Sequence, residues 1–501
     1  MKKHLFYLCA LWAATVILSA CDKDPIKVGG EDAHKSFLTV QFGISSPLTK
    51  TDNSGATIEG SEAESNVSQA IVYLVQSGLV KAVLPVNTLN RISYSGYDNG
   101  YETSLLETDV AVGTYEVFVY AGTTTDPFGY QVNDAWKSDA TQSFSAKSLG
   151  GIENASNTAA DDYSFRMFSQ NDASVTGNTV PTVTLTAENN RRTNPAIADG
   201  VYLDRITAKI TATEDASLKV GDNIKQGAFA GATAKIEGIL PISAAQNVYI
   251  RQQWADAQKT VLSTPATERY GFVNNQFTAT GFSYSDIQTS GGAYSSVSVA
   301  DLSGKIIPPA SPLYVLENAA ESTPVWGTTT GVVFKVTLNA SGSGSPATFF
   351  GYNKNSEQFL TLASLQANYP DAFDVFGNTL PGGADDDAAN LAEAEALLAS
   401  DPAAFRAKTK VMVFEDGAMY YTFFIKDDNY DCYGIFRNTW YQLLVTEITN
   451  FGDDVPGGWH PDDPTANPNP DTPVVDEKLY IKVKILVNKW VSNVTTIHLG
   501  E

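Results

Sequence analysis

The chain has few of the residues that carry most enzyme chemistry, with three cysteines and four histidines among 501 residues. The histidines are His4, His34, His460 and His498. His460 lies in a proline-rich stretch and His498 lies near the end of the chain, so neither is placed as a general base or a zinc ligand. We therefore predict that the protein is not an enzyme, with no catalytic residue, no metal site and no cofactor.

Long apolar runs are also scarce, and the run at the start of the chain, Leu5 to Ile17, is too short to span a bilayer. It follows two lysines and ends before Leu18-Ser19-Ala20-Cys21, which is the order of a bacterial lipoprotein signal. We expect residues 1–20 to be removed and lipid on Cys21 to anchor the mature chain to the outer membrane; an ordinary secretory signal is the alternative. Cys432 then has no disulfide partner within the chain.

Basic residues are outnumbered, since 33 lysines and arginines face 56 aspartates and glutamates, for a net charge of −23. Such a surface repels nucleic acid, which we exclude as a partner. The acidic runs at 385–387 and 427–431 are typical of a helix start and a hairpin turn, with calcium binding as the alternative for each, at a weak site in the second.

Amphipathic helical patterns are rare, whereas short alternating strand patterns recur along most of the chain. These patterns predict an all-β dominated fold with two antiparallel β-sandwich domains in tandem, a small helical insertion in the second domain and a C-terminal strand appendage. The predicted parts are a signal peptide (1–20), a lipidated propeptide with a removable first strand (21–50), an N-terminal domain (51–220), a C-terminal domain (221–452) with the insertion at 356–408, a proline-rich spacer (453–478) and one or two candidate donor strands (479–501).

Strand patterns at the two ends of the chain are predicted to work together. At the front, Leu38, Val40, Phe42 and Ile44 form one apolar face, and a turn-forming run that contains Lys50 follows. At the end, an alternating apolar face is formed by Leu479, Ile481, Val483, Ile485 and Val487. Such a strand needs a sheet edge, which its own domain or another molecule could provide.

A protease that cuts between Lys50 and Thr51 would release the first strand and expose an apolar slot. The C-terminal strand of a second copy could fill this slot, so that subunits polymerise head to tail. The alternative is that both segments are ordinary strands of their own domains.

A distinctive run lies near the end of the predicted second domain: Arg437-Asn438-Thr439-Trp440-Tyr441-Gln442-Leu443-Leu444-Val445-Thr446-Glu447-Ile448. Through this run, and most specifically through Arg437, Asn438 and Tyr441, the chain resembles the Bacteroidales fimbrillin family of FimA-like and Mfa1-like major fimbrial subunit precursors (type V pilins). The resemblance implies an outer-membrane lipoprotein precursor that a trypsin-like protease cuts and that then assembles, with accessory fimbrial subunits, into adhesive surface fimbriae by strand exchange. Family members often have arginine at the processing site, whereas this chain has no arginine before Arg91.

Two alternative functions remain at this point. A fimbrial tip or accessory adhesin would be expected to lack a donor strand. A surface glycan-binding lipoprotein that stays anchored would need exposed aromatic side chains, such as Trp440 or Trp459, along a shallow groove.

Overall fold

The computed structural model describes most of the chain between residues 35 and 491. The described ranges are 35–44, 57–59, 62–92, 100–143, 165–169, 180–245, 247–251, 279–280, 306–319, 324–327, 329–342, 344–352, 357–427, 432–458, 472–474 and 480–491. Within these ranges no helix is both long enough and apolar enough to cross a membrane.

Strands are the most abundant regular structure among the described residues, as predicted, and the all-β dominated fold class is confirmed. In chain order the strands are β1 (Ser36–Ile44), β2 (Thr57–Glu59), β3 (Ala70–Gln76), β4 (Leu79–Val86), β5 (Leu89–Ile92), β6 (Gly100–Thr103), β7 (Leu106–Thr108), β8 (Gly113–Ala121), β9 (Thr141–Ser143), β10 (Met167–Ser169), β11 (Thr182–Leu185), β12 (Ala196–Arg205), β13 (Thr207–Val220), β14 (Thr233–Ile242), β15 (Ala244–Ala245), β16 (Asn247–Tyr249), β17 (Ala279–Thr280), β18 (Leu313–Leu316), β19 (Asn318–Ala319), β20 (Gly331–Asn339), β21 (Phe349–Gly351), β22 (Met412–Phe414), β23 (Ala418–Phe424), β24 (Lys426–Asp427), β25 (Cys432–Ile435), β26 (Thr439–Ile448) and β27 (Ile481–Val491).

Helices are short and lie mainly in the predicted insertion. The α-helices are α1 (Glu62–Ser65), α2 (Leu362–Asn368), α3 (Asp387–Ser400) and α4 (Pro402–Thr409), and the 3-10 helices are Ala187–Asn190, Gly227–Phe229, Pro370–Ala372, Asp374–Phe376, Glu415–Gly417 and Pro456–Gly458. The acidic residues cap these helices as predicted: the Asp386 side chain accepts a hydrogen bond from the Ala389 N–H, and Asp401 accepts one from Ala404.

The first sheet has ten strands and forms the N-terminal half of the fold. Its main path runs β4-β3-β8-β10-β12-β1-β6-β5, with β11 on β8 and β7 on β1. Inward side chains from both ends of this path meet in one apolar core, which indicates that the sheet folds back over itself. Tyr73, Phe118, Tyr120 and Phe168 pack on the other face of the sheet, where Trp136 stacks on Phe118.

The second sheet has the order β18-β13-β26-β27-β2 and lies over a core shared with β14, β20 and β23. The chain changes sheets at Ile206, because β12 ends at Arg205 in the first sheet and β13 begins at Thr207 in the second. The predicted domain limit at 220 and 221 therefore differs from the sheet boundary. The strand pattern from Val201 to Ile210 runs across Ile206 without a turn signal, so it carries no sign of the change.

The predicted proline-rich spacer also begins later than 453. Asp453 exchanges two backbone hydrogen bonds with Tyr420, and the buried Asp454 side chain accepts a hydrogen bond from the Val413 N–H. Val455 is 2% exposed. The first residues after Phe451 are thus part of the second domain, because their backbone and side chains complete its packing.

Candidate assembly site: the first strand and the C-terminal strand

The first strand occupies an internal position in the first sheet. β1 runs parallel to β12 on one side and antiparallel to β6 and β7 on the other. We call the space between these neighbours, which β1 fills, the slot. Both edges of the slot would have unpaired backbone groups if β1 were removed.

The inward face of β1 is one of the most deeply buried surfaces of the fold. Leu38, Val40 and Phe42 are 0% exposed and Ile44 is 1% exposed. The Phe42 ring stacks on Tyr101 of β6 with the ring centroids 5.6 Å apart. Removal of β1 would expose the apolar side chains that line the slot, and exposing a large apolar side chain costs roughly 1.5–3 kcal/mol, so an empty slot is unfavourable in water.

The outward face of the slot is polar and acidic. Gln41 donates from Nε2 to the Glu102 carboxylate on β6 at 2.9 Å. Lys35 pairs with Glu107 on β7, and this hydrogen bond lowers the pKa of Glu107. Arg192 also reaches Glu107, at 2.8 Å, and its guanidinium lies 5.1 Å from the centroid of the Phe37 ring.

The predicted processing residues Cys21, Lys50 and Thr51 lie outside the described residues. Their neighbours nevertheless give the context of the proposed cut. β1 ends at Ile44 in the first sheet, and β2, which begins at Thr57, is in the second sheet. A cut between them would therefore separate two strands that do not pair with each other.

The C-terminal strand is docked in its own second domain. β27 pairs antiparallel with β26 from Ile481 to Lys489, and its last residues pair parallel with β2. Lys482 forms an ion pair with Glu447 at 2.7 Å. The sequence alone leaves open whether this strand pairs with its own domain or with another molecule. In the structure it pairs with its own second domain.

The alternating apolar face of β27 lies against the core of the second domain, but the core covers it incompletely. Ile481 is 1% exposed, whereas Val483, Ile485 and Val487 are only partly buried. Leu479 lies outside the described residues. The β27 side chains are thus less well covered than their counterparts on β1.

The Arg437-Asn438-Tyr441 motif fixes the turn between β25 and β26. The Arg437 guanidinium donates to Glu317 at 2.9 Å and to the carbonyl oxygens of Ile250 and Tyr249 at 2.8 and 2.7 Å. Asn438 has a φ of 58°, a conformation that asparagine tolerates better than most residues. The Tyr441 hydroxyl donates to Asp427 at 2.8 Å.

A buried polar network joins the two sheets at this turn. Arg205 is 0% exposed, and it donates to the Glu64 backbone carbonyl and to the Asn438 side chain, both at 3.0 Å. Burial lowers the pKa of Arg205 to about 10. Lys209 forms an ion pair with the Glu64 carboxylate at 2.8 Å, and Tyr314 also donates to that carboxylate.

Sequence patterns do not single out Glu64, Arg205 or Glu317, nor Glu102 and Glu107 at the slot. The available signal is weak: Arg205 is a basic residue at the end of the strand pattern that begins at Val201. Among the described residues, no three or more histidine, cysteine, aspartate or glutamate side chains are grouped to hold a metal ion.

These elements define a β-rich fold in which the strands nearest the two ends of the chain, β1 and β27, lie in the two largest described sheets. Residues 412–496 match the family model described as major fimbrial subunit protein type IV, fimbrillin, C-terminal. This match confirms the resemblance to fimbrillins over residues 412–496. No curated protein sequence matches the chain.

Solved structures of fimbrial proteins are similar to the chain over most of its length. The fimbrilin FimA from Porphyromonas gingivalis W83 is 13% identical, with a TM-score of 0.41, over 91% of this chain and 98% of that one. The C-terminally truncated tip fimbrial protein Mfa3 from Porphyromonas gingivalis is 12% identical, with a TM-score of 0.35, over 91% and 100%. A fimbrial assembly protein from Parabacteroides distasonis ATCC 8503 is 8% identical, with a TM-score of 0.34, over 82% and 91%.

Proposed function

We propose that this fimbrial subunit forms the shaft of a surface fimbrium by strand exchange. In the proposed sequence of events, the chain reaches the outer membrane as a lipoprotein anchored at Cys21. A trypsin-like protease then cuts between Lys50 and Thr51 and releases β1 together with the lipid. The C-terminal strand of another copy fills the slot, and accessory fimbrial subunits join the same fibre.

The observation that carries this proposal is the position of β1. It is an internal strand with a fully buried apolar face, it lies ahead of the proposed cut, and it does not pair with β2, the next strand that the structure describes. Removal of such a strand leaves the rest of the first sheet covalently intact. It also exposes apolar side chains and unpaired backbone groups, which a replacement strand would cover.

The presence of a candidate donor strand, β27, favours a shaft subunit over a tip subunit. β27 lies near the edge of its sheet, and among the residues that the structure describes only the three-residue β2 pairs with its outer side, at its last residues. Its apolar face is partly exposed in this position. Transfer to the slot would bury that face more completely, which gives exchange a favourable hydrophobic contribution.

Trp440 does not suit the glycan-binding alternative. Its indole Nε1 donates to Thr211 at 2.9 Å, and the Lys209 ammonium lies 3.6 Å from the ring centroid. The side chain packs against the core of the first domain. Trp440 is therefore part of the contact between the two domains rather than a free stacking surface.

Limited proteolysis of the purified precursor tests the proposal. We expect trypsin to produce a new amino terminus at Thr51, followed by ladders on gels run without heating. An arginine-specific protease should leave β1 in place, because the first arginine is Arg91. Absence of ladders after complete removal of β1 would contradict strand exchange.

Substitution of Lys50 provides the matched variants. Lys50→Ala should prevent the cut and the ladder, because trypsin-like proteases need a basic residue at this position. Lys50→Arg keeps the positive charge and should be cut by both proteases and polymerise. Normal fibres from Lys50→Ala would show that another site is processed.

A further inference from the structure

β1 and β27 share a residue pattern that extends beyond their apolar faces. β1 contains Phe37-Leu38-Thr39-Val40-Gln41-Phe42-Gly43-Ile44, and β27 with the residue before it contains Tyr480-Ile481-Lys482-Val483-Lys484-Ile485-Leu486-Val487. When these segments are aligned in the same direction, an aromatic residue comes first in each. Four apolar residues then take the four inward positions in each segment.

At the outward positions β27 carries lysines where β1 carries uncharged residues, and the neighbouring strands of the slot carry carboxylates. In the alignment Lys484 takes the place of Gln41, which lies opposite Glu102 in the antiparallel pair β1 and β6. Residues paired in this way have side chains on the same face of the sheet. A lysine there would face the carboxylate that now accepts the Gln41 hydrogen bond, and so replace a neutral contact with an ion pair.

The first aligned position supports the same register. Tyr480 takes the place of Phe37, whose ring lies under the Arg192 guanidinium and opposite Glu107 in the pair β1 and β7. A tyrosine keeps the aromatic face toward the cation. In the stated alignment Lys478 takes the position of Lys35. A register shifted by two residues, in which Lys482 takes the place of Gln41, would instead bring the acidic Asp476 to that position, next to Glu107.

We infer that Tyr480–Val487 of one subunit enters the slot of the next in the direction and register of Phe37–Ile44, with Lys484 paired to Glu102. This inference rests on the strand exchange proposed above and specifies which strand is inserted and how. The partner is a second copy of this chain, and the acidic outward face of the slot selects its lysine-bearing strand.

Disulfide trapping in assembled polymers tests this register. The parent is Cys432→Ser, so that no native thiol competes, and the test variant adds Glu102→Cys and Lys484→Cys. Directly opposed residues in antiparallel strands are within the Cα separation that a disulfide accepts, about 4.4–6.8 Å. After trypsin treatment and oxidation we expect a ladder that survives heating and disappears on reduction.

Two register controls pair Glu102→Cys with Lys482→Cys or with Leu486→Cys. Each moves the thiol along the strand by roughly 7 Å, beyond disulfide reach. A ladder that is stronger in either control would overturn the register while leaving strand exchange intact. A heat-sensitive ladder with no trapped product from any pair would mean that another segment, such as Val494–Leu499, fills the slot. Absence of any polymer from the parent would instead contradict the proposed function itself.

Charge reversal gives an independent readout. Glu102→Lys should slow assembly about fivefold, the size expected for exchanging an attractive pair for a repulsive one at a partly exposed site. Lys484→Glu in the same chain should restore the rate, whereas Glu116→Lys, on β8 away from the slot, should leave it unchanged. An unchanged rate for Glu102→Lys would argue against the Lys484 pair.

Discussion

At the scale of single residues, a buried ion pair stabilises the turn between β25 and β26 in the second domain. Arg437 is 4% exposed, and its guanidinium compensates the Glu317 carboxylate, which is 3% exposed. The motif around Arg437 is visible in the sequence. Its partners are not, because Glu317 and Ile250 are 120 and 187 positions away along the chain.

Removal of the Arg437 side chain tests its structural role. Arg437→Ala should lower the free energy of unfolding by about 3–5 kcal/mol, because Glu317 would remain as a buried charge without its partner. Urea denaturation of the uncut subunit measures this change. The exposed Arg191→Ala should change the same quantity by no more than about 0.5 kcal/mol.

A double variant separates loss of the pair from loss of packing. Arg437→Met with Glu317→Leu removes both charges and should recover part of the stability that Arg437→Ala loses. Equal instability of the single and double variants would show that the hydrogen bonds to the Ile250 and Tyr249 carbonyl oxygens matter more than the ion pair.

Tyrosine burial predicts the response of the protein to alkali. Burial raises the pKa of Tyr73 above its usual value, and Asp126, which accepts the hydroxyl hydrogen bond at 2.8 Å, raises it further. The folded state therefore holds this proton more tightly than the unfolded state. Its contribution to stability is complete below about pH 10 and is lost as the pH rises above that value.

Tyr73→Phe isolates this contribution. The variant should be less stable than the parent at neutral pH by about 1 kcal/mol, because the hydrogen bond to Asp126 is lost. Its urea midpoint should then fall less steeply above about pH 10 than that of the parent. Parallel curves for the two proteins would contradict the account of this side chain.

At the scale of elements, the sequence predicts the strands at both ends but not where they pair. Alternation alone identifies the inward faces of β1 and β27, because side chains in a strand point to opposite faces in turn. It cannot identify β12, β6 and β7 as the neighbours of β1, since those pairings join residues far apart in the chain. It also cannot distinguish docking on β26 from docking in another subunit.

Single substitutions on the two faces of β27 test its role in assembly. Ile485→Asn should lower monomer stability by only about 1–2 kcal/mol, because the side chain is partly buried there, yet it should block polymer formation. Leu486→Asn, on the face where Leu486 is 40% exposed, is the matched control and should polymerise. Truncation after Asp476 should likewise permit the cut but prevent polymers.

Truncation after Asp476 removes a strand that also stabilises its own domain. Ile481 belongs to the core of the second domain, so loss of β27 also weakens that domain. The Ile485→Asn and Leu486→Asn pair avoids this problem because both variants keep the strand. Equal polymer yields from these two variants would argue that β27 is not the inserted strand.

At the scale of the whole molecule, composition and patterning predict two β-rich units and a helical insertion, and they do so from local signals. The switch between sheets at Ile206 has no such signal, because the strand pattern from Val201 to Ile210 continues across it. The acidic outward face of the slot is equally invisible in the sequence, since Glu102 and Glu107 reach β1 only through the sheet topology.

The most direct test of the account is an electron cryomicroscopy map of the assembled fibre in which side chains along the slot can be assigned. The account predicts that the strand between β12 and β6 belongs to a neighbouring subunit and carries the C-terminal sequence. A map in which this position holds Phe37–Ile44 of the same subunit would contradict it.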